Sequence, residues 1–324
     1  MCRRRKSRKP KRSPCLNPSR RRPFRKPRTV FFGTSDFALP SLQALAAAAD
    51  VTLVVTQPDA PSGRGQRLQP TPVKRLAGNL GLPSIEPLRL RDALAVLRER
   101  EPDLFAVISY GKIVSTAALE IPRWLALNVH PSLLPLYRGA TPLRAVLRDG
   151  RAETGVTVIA MDAGMDTGDI VLQERMTIAE HETYGELHDR CAAVAATLLL
   201  RATEAAAEGR VVRTAQAAMG CSTEEIAATA TRPLEKADLF VDWDWAALRI
   251  VNHVRSLAPV PLARAVIGSQ ALKIVSAHVA SPAELNGPAT VVAGDGSGVV
   301  LETVVPPNRS AMSGAAFLRA VRMG

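Results

Sequence analysis

The chain has 324 residues, 47% of them hydrophobic, with 42 Lys and Arg against 30 Asp and Glu, which is too long for one small module and too apolar for a disordered chain. Residues 1–28 hold 14 of the basic side chains and no acidic one, so the remaining 296 residues carry a formal charge of −2 and the overall +12 belongs to the N-terminal tail. No stretch approaches the ~18 consecutive apolar residues of a membrane span, and Cys2, Cys15, Cys191 and Cys221 have neither zinc-ligand spacing nor the density of a disulfide scaffold, which points to a reducing, cytosolic compartment.

The tail itself, MCRRRKSRKPKRSPCLNPSRRRPFRKPR, has no apolar core segment and so is no secretory signal. Three readings remain for it: a disordered arm that contacts RNA, a start placed too far upstream, or an organelle-targeting segment, the last disfavoured because few apolar residues are present to form an amphipathic helix. Each leaves residues 1–28 outside the fold.

Order begins with TVFFG (29–33), which reads as a strand, then a turn at Thr34, Ser35 and Asp36 that caps a helix through FALPSLQALAAAA. A β-branched strand, VTLVVTQ (51–57), runs into the loop PDAPSGRGQRLQPTP, and a helix starting near Val73 stops at Gly81. A short strand (82–87), a helix (91–100), the strand DLFAVIS (103–109), a helix (114–120) and the strand LALNVH (125–130) follow. Strands alternating with helices predict a parallel sheet. A helix near 140–149 then precedes the strands GVTVIAMD (155–162) and IVLQERM (170–176), and an Ala-rich stretch at 183–208 has helical spacing. Residues 209–235 are polar and weakly patterned and read as a linker. Beyond it, a helix at 245–257 and the runs ARAVIG, ALKIVSAHV, ATVVAG and GVVLETVV predict a small antiparallel barrel.

The richest stretch is NVHPSLLPLYRGATP (128–142). Asn128 and His130 stand two apart at a strand end, so both side chains face one side, and ligands in open parallel sheets bind beyond such ends. An amide donor beside an imidazole suits a carbonyl oxygen that gains negative charge. In MDAGMDTGD (161–169), Asp162, Asp166 and Asp169 crowd a Gly-rich turn. A carboxylate facing His130 would hold the imidazole orientation; the competing reading is a loop that merely turns and caps. A metal is not expected, because His and Cys do not cluster. Cys191 and Cys221 read as ordinary thiols, and neither GTSDF nor SGRGQ has the spacing of a phosphate-binding loop. What remains is direct transfer of an acyl-like group between two bound substrates.

FFGTSDFALPSLQAL, TQPDAPSGRGQRLQPTPVKRLA, DLFAVISYGKIV, LNVHPSLLPLYRGATP, TGVTVIAMDAGMDTGDI and the C-terminal SAMSGAAFLRAVR occur in the order found in the 10-formyltetrahydrofolate-dependent formyltransferases. The chain resembles that family, and within it the members acting on methionyl-tRNA, strongly to about residue 180 and weakly after 220. The resemblance implies a Rossmann-like α/β formyltransferase domain over 29–208, the linker 209–235 and an OB-like, shortened tRNA-binding barrel over 236–324. It implies Asn128, His130 and Asp166 as the catalytic residues. Ser132, Leu133, Leu134 and Pro135 would contact folate, with Ser109 and Tyr110 lining the same pocket. In the basic loop, Arg64, Arg67 and Lys74 would contact tRNA, led by Arg64. The implied activity moves a formyl group from 10-formyltetrahydrofolate to the α-amine of methionine on initiator tRNA, with Asn128 and protonated His130 stabilising the oxyanion and Asp166 orienting His130. No metal and no membrane are involved, and the chain would act as a cytoplasmic monomer of bacterial type. Two departures stand out: Ala258, Pro259, Val260 and Pro261 replace the family's Asn-Pro-Trp-Pro, and about one strand is missing between Gly294 and Val304. The alternatives are a formyltransferase for an amino sugar or other small amine, and an RNA-binding protein with a relic transferase domain.

Overall fold

The computed structural model describes residues 25–62 and 67–323. The proposed edge of the tail at residue 28 falls inside the fold, because Lys26 Nζ donates to the Ala47 carbonyl (2.8 Å) and Arg28 N to Asp103 Oδ2 (2.9 Å). The acidic 101–103 corner holds the last basic residues in place. Residues 1–24, with the three readings of them, lie outside the described residues.

The first domain runs β1 (Arg28–Gly33), α1 (Leu39–Ala48), β2 (Asp50–Val55), β3 (Ala60–Ser62), β4 (Arg67–Gln69), α2 (Pro72–Asn79), β5 (Ser84–Ile85), α3 (Leu94–Glu99) and β6 (Leu104–Ile108). It continues with α4 (Thr116–Leu119), β7 (Leu125–His130), α5 (Pro142–Arg148), β8 (Glu153–Ala160), β9 (Asp169–Thr177) and α6 (Tyr184–Ala207). Seven strands form one sheet in the order β5-β2-β1-β6-β7-β8-β9. Val30, Phe32, Val55 and Phe105 pack toward α3 and α4, while Phe31, Val54, Leu104 and Ile108 pack toward α1 and α6. Burial on both faces explains why these strands read as nearly unbroken apolar runs. A reciprocal cap starts α6: Glu186 N donates to Thr183 Oγ1 and Thr183 N to Glu186 Oε2. Ser35 does not cap the turn after β1; its hydroxyl pairs with Ser109 Oγ at 2.7 Å.

The sheet is parallel only from β5 to β7, since β8 and β9 are antiparallel to their neighbours. The connection from β7 to β8 holds the loop 131–141 and the seven-residue α5, which packs against α6 and α8 rather than crossing back along the sheet. The chain therefore re-enters the sheet from the end at which β7 left it. The expected loop after β2 contains the ribbon β3–β4 (Ala60↔Gln69, Ser62↔Arg67), whose three-residue strands and Pro61 hide it from a periodicity argument.

The segment 209–235 is not a free linker. It carries α7 (Thr223–Thr229), capped reciprocally by Ser222 and Glu225, and it is pinned to the first domain through Thr214↔Ile170 and Thr231↔Gly139 bridges. Those ties are side-chain bonds and isolated backbone bridges, which have no sequence period. The second domain follows: α8 (Ala247–Leu257), β10 (Ala263–Ile267), β11 (Gln270–Val279), β12 (Thr290–Val292), β13 (Gly298–Val305), β14 (Met312–Ser313) and α9 (Gly314–Met323). Its antiparallel sheet runs β10-β11-β13-β12 with β14 on β13, and among the described residues no pairing joins β10 to β12 to close a cylinder. Ile250, Val254, Ile274, Val299, Leu301 and Phe317 form its core. Arg144 on α5 clamps the 258–261 turn, donating to Ser256 O (2.8 Å) and Val260 O (2.9 Å), while Gly185 N donates to Ala258 O. Val260, where the family pattern has Trp, is exposed. Among the described residues no helix is long and apolar enough to cross a membrane.

Candidate active site

β1, β6 and β7 end side by side, and the segments after them frame a cavity of about 790 Å³. The strand order turns between β1 and β6, the crevice in which open α/β sheets bind ligands. Asn128 and His130 both line this cavity, while Leu127 and Val129 pack into the core on the α6 side, as the two-residue alternation requires. His130 is 5% exposed. Its Nε2 lies 2.8 Å from the Tyr137 carbonyl, which can only accept, so Nε2 carries a hydrogen. Nδ1 is left facing Asp166 Oδ2 at 3.6 Å. The short contact that orients the ring is thus the Tyr137 carbonyl, and Asp166 stands beside it as a countercharge.

Of the three acids in the turn, Asp166 is the one that faces His130. Asp162 accepts from Gly164 N (3.0 Å) and Thr167 Oγ1 (2.7 Å), which makes it the turn's internal cap. Asp169 begins β9, opposite Ala160. The strand register sets Met161 beside Ala126, below His130, so the turn folds back over the sheet to raise Asp166. Asp166 adopts φ 56°, a left-handed conformation that Asp tolerates better than most residues. Two groups hold it: Gly139 N donates to Oδ2 (2.9 Å), and Gln216 Nε2 donates to the Asp166 carbonyl (2.8 Å) and to that of Gly168 (2.8 Å). Gln216 Oε1 accepts from Arg138 Nε and Nη2. Gly139 sits at φ 105°, where an added Cβ would come 2.1 Å from the Thr231 carbonyl. The segment read as a linker is therefore part of the site wall.

Ser109 and Tyr110 line the cavity, and the Tyr110 hydroxyl is buried with no hydrogen-bond partner. Ser132, Leu133, Leu134 and Pro135 do not line it. Ser132 Oγ donates to the Leu136 carbonyl, Thr157 Oγ1 to the Ser132 carbonyl and Gln173 Nε2 to the Leu134 carbonyl, and Leu134 packs with Ile159 and Ile170. The segment is a buried brace for the loop that carries Tyr137 and Gly139. Among the tRNA candidates, Arg64 lies outside the described residues, Arg67 is exposed on β4, and Lys74 is bound by Asp59 (2.8 Å) and Glu86 (2.7 Å), so it offers no free charge. Cys191 is buried, which pushes its thiol up to about 12 and leaves it inert at neutral pH. Among the described residues no group of three or more His, Cys, Asp or Glu side chains is arranged to hold a metal.

The opposite wall was not found from the sequence. Phe37, Tyr184 and His188 line it, with the Arg144 guanidinium 3.6 Å from the centre of the Tyr184 ring and Phe37 edge-on to His188. Tyr184 and His188 are spaced i, i+4, which places them on one helix face, but nothing in the sequence shows that this face looks across at β1. Asp36, 3.5 Å from His188 Nε2, raises the imidazole against the opposing effect of burial, and Asp189 adds to it; the same contact holds the Asp36 carboxyl low. A histidine raised by a partner stabilises the fold below its ordinary value near 6.5 and loses that contribution as pH rises through the raised value. Asp36→Asn should therefore melt about 2 °C below wild type at pH 6 and converge on it by pH 9. Differential scanning fluorimetry across that range checks this; a gap that widens with pH contradicts it.

The formyl transferase family profile matches residues 28–203, and the profile of the formyl transferase C-terminal domain matches 233–322. The methionyl-tRNA formyltransferase of Moorella thermoacetica is 39% identical over 308 residues, covering 91% of this chain and 97% of its own. That of Pelotomaculum thermopropionicum is 42% identical over 255 residues, covering 78% and 79%. The N-formyltransferase from Helicobacter canadensis, solved with folinic acid and dTDP-3-aminofucose, aligns with a TM-score of 0.62 at 17% identity, over 85% of this chain and 98% of that one, a likeness of fold. With identity near 40% across most of its length, and both domains matched, the chain belongs to the formyl transferase family and, within it, to the methionyl-tRNA formyltransferases.

Proposed function

We propose that the protein transfers a formyl group from 10-formyltetrahydrofolate to the α-amine of methionine esterified to initiator tRNA, giving N-formylmethionyl-tRNA. The observation that carries this reading is the convergence of Asn128, His130 and Asp166 on one cavity, in a chain whose relatives bear that name. The folate donor would sit beside Ser109 and Tyr110, which line the same cavity. That donor supplies a formyl carbon bonded to a nitrogen leaving group. Asn128 and His130 stabilise the formyl oxygen as the amine adds and it gains charge. The new amine–carbon bond forms first, giving a tetrahedral oxyanion; its collapse restores the C=O bond and breaks the carbon–folate nitrogen bond, and the proton lost by the amine ends on the folate nitrogen. Asp166 Oδ2 faces His130 Nδ1 and helps to orient it, and Gly139 and Gln216 keep Asp166 in place.

In this reading residues 29–208 form the catalytic domain and 236–324 the tRNA-binding domain, with 209–235 contributing to the catalytic site. Arg64, and Arg67 on β4, contact the acceptor end of the tRNA; the chain works as a cytoplasmic monomer. Ser109 and Tyr110 contact the donor directly, whereas Ser132 to Pro135 support its pocket from below.

The test is formylation of charged initiator tRNA by the purified protein with 10-formyltetrahydrofolate, alongside free methionine and a nucleotide-linked amino sugar. Only the tRNA should be formylated. Efficient transfer to the amino sugar would overturn the reading. Arg64→Ala should lower kcat/KM for initiator tRNA about 10-fold or more and that for elongator methionyl-tRNA much less, since a side chain placed at one acceptor end contributes discrimination. Equal losses on both tRNAs would reduce Arg64 to general phosphate attraction.

A further inference from the structure

A second cavity, of about 810 Å³, opens where α5 of the first domain meets α8 of the second, and the chemistry assigned above makes no use of it. His253 lines it at 4% exposure, and neither ring nitrogen closes a hydrogen bond. Burial lowers the imidazole, opposed by the nearby Leu239 carbonyl, so the ring is neutral and holds one donor and one acceptor, both covered from solvent in this structure. Two buried polar atoms without partners are costly unless something outside the chain completes them.

The rest of the lining says what that partner is. Both carboxylates are already engaged: Asp238 accepts two bonds from Arg232 at 2.7 Å, and Asp149 accepts from the Tyr137 hydroxyl. The cations are less committed. Arg249 stacks on Trp245 at 4.2 Å and, among the described residues, has no carboxylate within 4.0 Å, while Arg148 has only its neighbour Asp149 at 3.7 Å. Phe240 is 47% exposed at the rim. Unspent guanidinium groups, an open aromatic face and a neutral donor–acceptor pair together match a planar nucleobase carrying a phosphate.

Position selects the source. Arg144 and Arg148 lie one turn apart on α5, about 6 Å along its axis; Arg144 lines the first cavity and Arg148 the second. Arg232 lines the first cavity and pairs with Asp238 in the second, so the two share a wall. We propose that the α5–α8 cavity binds an unpaired nucleotide of the RNA whose aminoacylated end occupies the first cavity, its base against Phe240 and His253 and its phosphate on Arg148 and Arg249. This rests on the functional reading above only in naming the RNA as the substrate tRNA.

The test is filter binding of initiator tRNA to the full-length protein, together with formylation at saturating tRNA. Arg249→Ala and Phe240→Ala, both at exposed positions, should each raise the tRNA Kd about 5- to 10-fold, with kcat within two-fold of wild type. His253→Leu should weaken binding similarly, and His253→Gln, which keeps a donor and an acceptor, should restore most of it. A purely packing role for His253 would not distinguish Leu from Gln. In a separate arm, adenosine 5′-monophosphate is titrated while the His253 ring signals are followed by NMR. If all four variants bind tRNA within two-fold of wild type, the proposal is overturned, whether or not the mononucleotide moves the His253 signals; shifts with unchanged tRNA binding would make the cavity a free-nucleotide site instead. Wild type that formylates initiator tRNA while the variants bind normally would sink this inference alone. Wild type that formylates no charged tRNA would sink the functional reading, whatever the variants bind.

Discussion

His130→Ala and Asn128→Ala are each expected to lower single-turnover formylation about 10²–10³-fold while changing the melting temperature little, because both side chains end at the cavity and neither anchors the core. The double variant should fall far short of the product of the single losses, since the two groups stabilise one developing charge. Asp166→Ala should cost about as much, because it removes the countercharge 3.6 Å from His130. Asp162→Ala should cost less than about 10-fold in rate, its contacts being internal to the turn at Gly164 and Thr167. Quench-flow measurement with enzyme in excess separates chemistry from product release. If Asp162→Ala or Asp169→Ala abolished turnover while Asp166→Ala kept it, the geometric choice among the three acids would be wrong.

The second large effect is expected at a side chain that meets the catalytic groups only through the Asp166 backbone. Gln216→Leu should destabilise the protein by about 2–4 kcal/mol and lower kcat at least 10-fold. Gln216 is 5% exposed and connects Arg138 to the carbonyls of Asp166 and Gly168. Leucine fills the volume but leaves two buried carbonyls and a guanidinium unmatched, and Asp166 loses one of its two holds. Thermal melting with steady-state kinetics reads both effects. A variant that melts within 1 °C of wild type and turns over normally would show that residues 209–235 contribute nothing to the site.

That second expectation depends on a segment whose sequence reads as a connection, and the contrast shows where sequence reasoning stopped. The parallel strands β1, β2, β6 and β7 were legible because they bury both faces, so Val30, Phe31 and Phe32 are apolar whichever way they point. The long α6 was legible from its spacing and from Thr183 with Glu186. The sense of β8 was not, because it depends on where α5 packs, and its partners α6 and α8 lie far along the chain. The second domain's antiparallel runs were legible from alternation and turns, while the unpaired ends at β10 and β12 follow from which strands meet.

At the site, the sequence by itself determined that Asn128 and His130 share a side, because alternation along a strand is local geometry, and that one acid of a Gly-rich turn could approach them. Only the tertiary structure decided which acid, since Asp166 reaches His130 by a fold-back that its own register does not predict. It also decided that the Tyr137 carbonyl sets the imidazole, that the Ser132–Pro135 segment braces the pocket from beneath, and that Lys74 is bound by two carboxylates. The wall built by Phe37, Tyr184 and His188, and the two unpartnered nitrogens of His253 at the α5–α8 junction, have the same origin. Periodicity reports which face of an element is buried; it carries no information about which polar groups from distant segments meet there, and that meeting is what makes a site.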